Sequence, residues 1–235
     1  MRDIVFDIEA DGFLEDATKI HCIAVSENGD EPVCYEASQV DEALDWLNRA
    51  TNLIGHNIIR YDLPLLRKLC GWRPEVGTNI QDTFLQARMA FPDLLKKDAE
   101  RQKIPKHEWG KYSLRAFGHR LKMHKGDHED FTMFSEDMRE YCIQDVRVTS
   151  KLWSILREQS LGKDAVIMET QFAALAFRME EVGIAFDRPA AIDLFKQLDE
   201  KKGEILEALV DLVPPKRTEM KTPQYWIDPV TDVQF

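Results

Sequence analysis

The chain predicts an α/β fold on three observations. Strand-like segments come first, helices and strands then alternate, and a long helix closes the series. Residues 3–9, 20–27 and 31–36 read as three short strands, and Asn28-Gly29-Asp30 between the second and third is a hairpin turn. Ser38 opens a helix, with Asp41 as its capping-box partner and Leu44, Trp46 and Leu47 as apolar positions. Residues 51–55 form a fourth, buried strand, followed by a helix through Leu63, Leu65, Leu66 and Leu69. Asn79-Ile80-Gln81 suits a fifth strand, and a helix runs from Asp82 to Met89. The next stretch contains Pro92 and Pro105 and reads as loop, with a short helix over 113–119. A longer helix spans about 135–159.

Ser160-Leu161-Gly162 breaks the pattern, which places a first domain at residues 1–163. Residues 164–213 are helical: Met168, Phe172, Leu175, Met179 and Val182 make one stripe, and Leu194, Leu198, Ile205, Leu209 and Leu212 another. Residues 214–235 form a Pro-rich tail. Two amphipathic helices and a tail bury little by themselves, so this part reads as the incomplete start of a further domain.

No apolar run approaches membrane-spanning length and no signal-peptide pattern opens the chain, so the expectation is a cytoplasmic protein without a membrane partner. Cys22, Cys34, Cys70 and Cys142 are widely spaced and read as free thiols rather than disulfides or a zinc site. His124 and His128 have a helical spacing but no accompanying thiolates, and read as surface histidines. The net charge of −11 opposes nucleic-acid binding, yet ten basic residues crowd the stretch from Lys96 to Lys125, Lys111 and Arg115 among them. Such a strip is either a solvated loop or a grip for phosphates.

The chemistry concentrates in acids. Asp7 and Glu9 lie two apart in an apolar strand and so project from one face, while Ile8 turns into the core. Adjacent buried carboxylates repel and lose hydration unless a cation joins them. Asp62 follows a buried strand at a helix start, and Tyr141 and Asp145 lie four apart on one helix face. Four carboxylates match the ligand chemistry of two Mg2+ or Mn2+ ions, which stabilise the attacking and leaving oxygens of phosphoryl transfer.

Taken in this order, the three segments resemble the exonuclease motifs of the DEDD nucleases, which share the ribonuclease-H-like fold. Tyr141 makes the last motif the tyrosine form, since the histidine form needs His where Glu140 stands. The chain is most similar to the proofreading domain of family A DNA polymerases, especially those of T-odd phages. The likeness runs through Asp7-Ile8-Glu9-Ala10, Thr18-Lys19-Ile20-His21-Cys22, His56-Asn57 to Tyr61-Asp62, Ile80-Gln81-Asp82-Thr83, Ser113 to Gly118 and Lys125-Gly126. It continues past the domain in Met179-Glu180-Glu181-Val182-Gly183-Ile184 and Asp187.

The resemblance implies a mixed five-stranded ribonuclease-H-like sheet with flanking helices and a C-terminal helical extension. It also implies a 3′→5′ exonuclease that releases nucleoside monophosphates from single-stranded or frayed DNA 3′ ends. Asp7 would bridge two metal ions, Glu9 and Asp145 would complete one ion's site, Asp62 would hold the other, and Tyr141 would orient the nucleophile. Phe13 would stack on the terminal base, and His56, Asn57, Lys111 and Arg115 would position the strand. The partners implied are the remainder of a polymerase, on the same or a separate polypeptide, and other replisome proteins. The palm and fingers motifs of nucleotide incorporation are absent from these residues. A tyrosine-type exonuclease acting on RNA and an inactive replisome docking module remain the alternatives.

Overall fold

A computed structural model describes residues 2–123 and 130–213. The 124–129 segment, with His124, Lys125, Gly126 and His128, and the Pro-rich tail lie outside the described residues. Five strands form one sheet: β1 (Asp3–Ala10), β2 (Ile20–Glu27), β3 (Val33–Glu36), β4 (Asn52–Gly55) and β5 (Asn79–Asp82), in the order β3-β2-β1-β4-β5. The first three pair antiparallel, whereas β4 runs parallel to both β1 and β5. Asn28 and Gly29 take left-handed backbone, φ 53° and 88°, which turns β2 into β3 as the Asn-Gly pair predicts.

Among the described residues the α-helices are α1 (Val40–Leu47), α2 (Asp62–Cys70), α3 (Thr83–Ala90), α4 (Leu94–Arg101), α5 (Leu114–Leu121), α6 (Glu136–Leu156), α7 (Lys163–Val182) and α8 (Arg188–Leu212). On one sheet face Ile4, Phe6, Ile8 and Ala10 pack with Leu47, Leu65 and Leu66 of α1 and α2. On the other, Val5, Ala24 and Ile54 pack against Met138, Cys142 and Val146 of α6. Ser135 caps α6 by accepting the Met138 amide at 3.1 Å.

Two local expectations are corrected. The first helix is capped not by Ser38 and Asp41 but by a Glu36–Gln39 capping box over a preceding 3-10 turn, and α1 starts at Val40. The basic stretch is not mainly loop, because α4 occupies it. That helix buries Leu94 and, one turn on, Asp98, so its inward stripe contains a charge where an apolar residue would have revealed it. Asp98 is paid back by Arg120, whose Nη2 donates to Oδ2 at 2.7 Å, and by the Gly110 amide at 2.9 Å.

The chain divides into two compact units, Met1–Val182 and Gly183–Phe235. Within the first, α7 packs on α3 and β5, and Glu180 pairs with both terminal nitrogens of Arg60. The described part of the second is α8, which Asp187 caps by accepting the Ala190 amide at 3.0 Å. Among the described residues no helix is long and apolar enough to cross a membrane.

The loop between β4 and α2 is tightly determined. A Cβ on Gly55 would lie 2.1 Å from Ile58 Cγ2 and 3.1 Å from the Phe6 carbonyl, so only glycine allows β4 this close to β1. His56 then clasps the loop, with Nδ1 2.9 Å from Thr83 Oγ1 and Nε2 2.9 Å from the Tyr112 carbonyl. Gly55→Ala should cost about 2 kcal/mol through overpacking, read as a lower urea midpoint with an unchanged m-value. Burial lowers His56 from its ordinary 6.5 to about 4 against the opposing Tyr112 bond. Between those values the unfolded chain holds a proton that the folded chain refuses, so this contribution is complete above pH 6.5 and lost as pH falls toward 4. The window is worth about 3 kcal/mol. Denaturation curves from pH 4 to 7 should show His56→Gln with a shallower pH slope than the parent, and equal slopes would contradict the assignment.

Candidate active site

Alternation along β1 decides where its acids go. Val5 joins the α6-side core and Ile4, Phe6 and Ile8 the other, so Asp7 and Glu9 share the α6 side. The Cys142 thiol sits 3.5 Å from the Asp7 carbonyl oxygen and 3.8 Å from its Oδ2. Ligand atoms of Asp7, Glu9 and Cys142 all lie within 4.8 Å of one another. Tyr141 immediately precedes Cys142, and Asp145 follows it by three residues, one turn along the same helix. The Tyr141 ring meets Phe131 edge-on at 6.2 Å, and the Phe131 carbonyl bonds His21 Nε2 at 3.0 Å. A register shift interrupts β1–β2 pairing between Glu9 and Ala10, directly beside this cluster.

Asp62 enters from the other side. It is the first residue of α2 and 4 % exposed. The backbone amides of Asp62 itself and of Ile8, between Asp7 and Glu9, lie close enough to its carboxyl to favour the charged form. Its Oδ1 is buried with no hydrogen-bond partner. Burial raises its pKa to about 7, with Asp82 adding to the rise and the two amides opposing it. Tyr61 reports the same gathering: burial first, then the charges of Asp62, Glu9, Asp7 and Asp11, push its phenol up to about 12. Tyr61 accordingly stays protonated and donates to the Gly12 carbonyl at 2.8 Å.

The donor chemistry fits a hard divalent cation. An orphaned, buried carboxylate oxygen reached by the same strand that presents two further acids is costly alone and is what such ions coordinate.

The residues expected to touch DNA have different fates. Phe13 is 80 % exposed, on a loop that is closed at its base. Asp11 accepts the Thr18 and Lys19 amides at 2.8 and 3.1 Å, and Lys68 Nζ reaches the Leu14 and Glu15 carbonyls at 2.8 Å each. The Thr18 hydroxyl and amide hold the Asp11 carboxyl well below the usual carboxylate range. His56 has both ring nitrogens engaged inside the protein, by Thr83 and by the Tyr112 carbonyl. Asn57 adopts left-handed backbone, φ 66°, and its amide donates to Asp82 Oδ1 at 2.9 Å. Lys111 and Arg115 are about half exposed and converge on Glu108 Oε1, at 3.8 and 3.5 Å.

Sequence reasoning passed over three residues that organise the site. Asp82 accepts the amides of Asn57 and Ile59 while capping α3 through Phe84 and Leu85, so one buried carboxylate ties the Asp62 loop to the sheet. Its N-cap position before Thr83 was the available signal. Tyr61, adjacent to Asp62, and Cys142, adjacent to Tyr141, carried no signal of their own.

The sequence matches no protein-family model. It is 28% identical to the DNA-directed DNA polymerase of Escherichia phage T7 and 27% identical to that of Enterobacteria phage T3. Each match covers 88% of this chain and 37% of the polymerase, so the chain spans little more than a third of those relatives. Among solved structures, Brucella melitensis NrnC bound to pGG is similar at a TM-score of 0.56 and 15% identity, over 77% of this chain and 85% of that one. NrnC with bound Mg2+ matches at 0.54 and 16% identity, over 77% and 86%. In sequence the chain is similar to the T7 and T3 DNA polymerases over the part it matches, and in fold, a mixed five-stranded sheet with flanking helices, it is similar to NrnC.

Proposed function

We propose that the chain is a 3′→5′ exonuclease that removes nucleoside monophosphates from single-stranded or frayed DNA ends, as the editing part of a family A replicative polymerase. The observation that carries this is the meeting of chain segments at β1: Asp7 and Glu9 on the strand, with Cys142 of the Tyr141–Asp145 helix against Asp7, and the buried Asp62 near enough to the Ile8 amide to feel it. Similarity to phage DNA polymerases over 88% of the chain favours DNA and an editing role.

Asp7, Glu9, Asp62 and Asp145 would hold two divalent ions, Mg2+ or Mn2+, which supply charge neutralisation for in-line phosphodiester hydrolysis. Tyr141 would orient the attacking water through its hydroxyl without ionising. Phe13, exposed on a braced loop, offers a ring for the terminal base, and stacking tolerates any base because it reads no edge. Lys111 and Arg115, held by the buried Glu108, would face the phosphates. A mismatched end frays most cheaply, so selectivity for errors needs no sequence reading.

Release of labelled mononucleotide from matched single-stranded DNA and RNA oligonucleotides, with Mg2+ or Mn2+, tests this. Asp7→Ala and Asp145→Ala should each lower the rate about 10³-fold or more, the several kcal/mol that metal-assisted charge stabilisation supplies, with unchanged thermal melting. Wild-type rates in either variant would remove that residue from the site, and strong RNA preference would favour an RNA exonuclease instead. Phe13→Ala should weaken single-strand use roughly tenfold, within the 1–3 kcal/mol of one base stack, chiefly through KM. A kcat/KM equal to the parent's would take Phe13 out of substrate binding.

A further inference from the structure

A cavity of about 290 Å3 lies among α4, α5 and the C-terminal half of α6. Leu152 and Ile155 on its wall follow Asp145 by seven and ten residues, which a rise of about 1.5 Å per residue puts roughly 10–15 Å further along α6. Leu94, Ile104, Phe117, Leu152 and Ile155 give it a hydrocarbon wall. Water filling that volume, at about 30 Å3 per molecule, would need two to four polar partners each, which such a wall does not supply. Among the described residues that line it, the exposed side chains are all basic: Lys97, Arg101 and Lys103. The acid on the wall, Asp98, is buried and held by the Gly110 amide and by Arg120, which donates from Nε at 3.2 Å and from Nη2 at 2.7 Å. Arg120 also lies over the Phe117 ring, 5.0 Å from its centre, and its Nη2 reaches the Glu108 carbonyl at 3.4 Å. Its remaining nitrogen, Nη1, is buried with no hydrogen-bond partner. A buried guanidinium N–H without an acceptor is costly, and an anion is what relieves it.

We propose that this cavity binds a small amphipathic anion, with an aromatic or branched aliphatic body against the hydrocarbon wall and a carboxylate or phosphate head on Arg120 Nη1. The volume sits at the lower end of ligand pockets, about 300–1,000 Å3, and suits a body of one or two rings better than a long acyl chain. Charge selects the head. Lys97, Arg101, Lys103 and Arg120 against Asp98 leave the wall at +3, opposite in sign to the −11 of the whole chain. A neutral ligand of the same shape leaves Nη1 unpaired, and a cationic one is repelled. Arg120 is fixed before any ligand arrives, by Asp98 on one side and the Phe117 ring beneath it, so binding orders little that is not already ordered. A tie between α4 and α5 would account for Nε and Nη2, but not for Nη1 or for a mouth of cations. The site shares no residue with Asp7, Glu9, Asp62 and Asp145 and does not depend on the nuclease assignment.

The test is titration of the full chain, isotope-labelled at its isoleucine and leucine methyl groups, with naphthoate, naphthyl phosphate and the neutral naphthalenemethanol, followed by NMR in physiological salt. The methyls of Ile104, Leu152 and Ile155 should shift saturably, while those of the exposed Ile167, Leu175 and Ile192 on α7 and α8 should not. At least one acid should bind about tenfold more tightly than the alcohol, as a hydrogen bond to a charged group allows, and the tighter acid identifies the head. Replacing the ion pair together, Asp98→Leu with Arg120→Met, leaves no buried charge unpaired. That double variant should still bind the ring body but prefer the acid only about twofold, the exposed cations being screened by salt. Ile155→Trp, which fills the cavity, should abolish the shifts at Ile104 and Leu152. No saturable shift at the three cavity methyls of the parent, or equal parent affinity for acids and alcohol, would overturn the site without calling on any variant to fold. An undiminished acid preference in the double variant would equally overturn it.

Discussion

The structure turns on the period-two alternation of one strand. β1 lies at the centre of the sheet, with β2 and β4 on either side, so both of its faces are covered. Ile4, Phe6, Ile8 and Ala10 fill one face, and the same pleat drives Asp7 and Glu9 into the interface with α6. Two carboxylates in such a place are costly, and a slip of one residue would exchange them for isoleucine and phenylalanine. The surrounding elements are fitted to that cost. The α2 start brings a third acid close to the Ile8 amide, Gly55 lets β4 approach, and Asp82 fastens the intervening loop by two backbone amides while capping α3 with two more.

Much of this was legible in the sequence. All five strands fall where alternation and turn residues place them, and Asp7 and Glu9 share one strand face as their spacing requires. What escaped depends on partners distant in the chain. The α4 helix hides because its second buried position is Asp98, intelligible only once Arg120 is seen beside it. His56 bonds Thr83 and the Tyr112 carbonyl, 27 and 56 residues further along the chain, a clasp that no local pattern announces.

The basic stretch gains a physical meaning from its few acids. Asp98 and Glu108 are both buried, and around them are drawn Arg120, Lys111, Arg115 and His107. Four basic side chains of this region are therefore held through their charged ends by buried acids rather than dispersed on a solvated loop. An acidic chain can in this way present a local positive surface, ordered before any anion arrives, which lowers the entropy spent on gripping one.

The central claim is that Asp7, Glu9, Asp62 and Asp145 act together on a pair of cations, and anomalous diffraction from crystals soaked in Mn2+ tests it most directly. Two peaks roughly 3.5–4 Å apart, bridged by Asp7 and flanked by the other three carboxylates, are the expected result. Manganese bound away from β1, or an Asp62 or Asp145 carboxylate turned away from the ions, would contradict it.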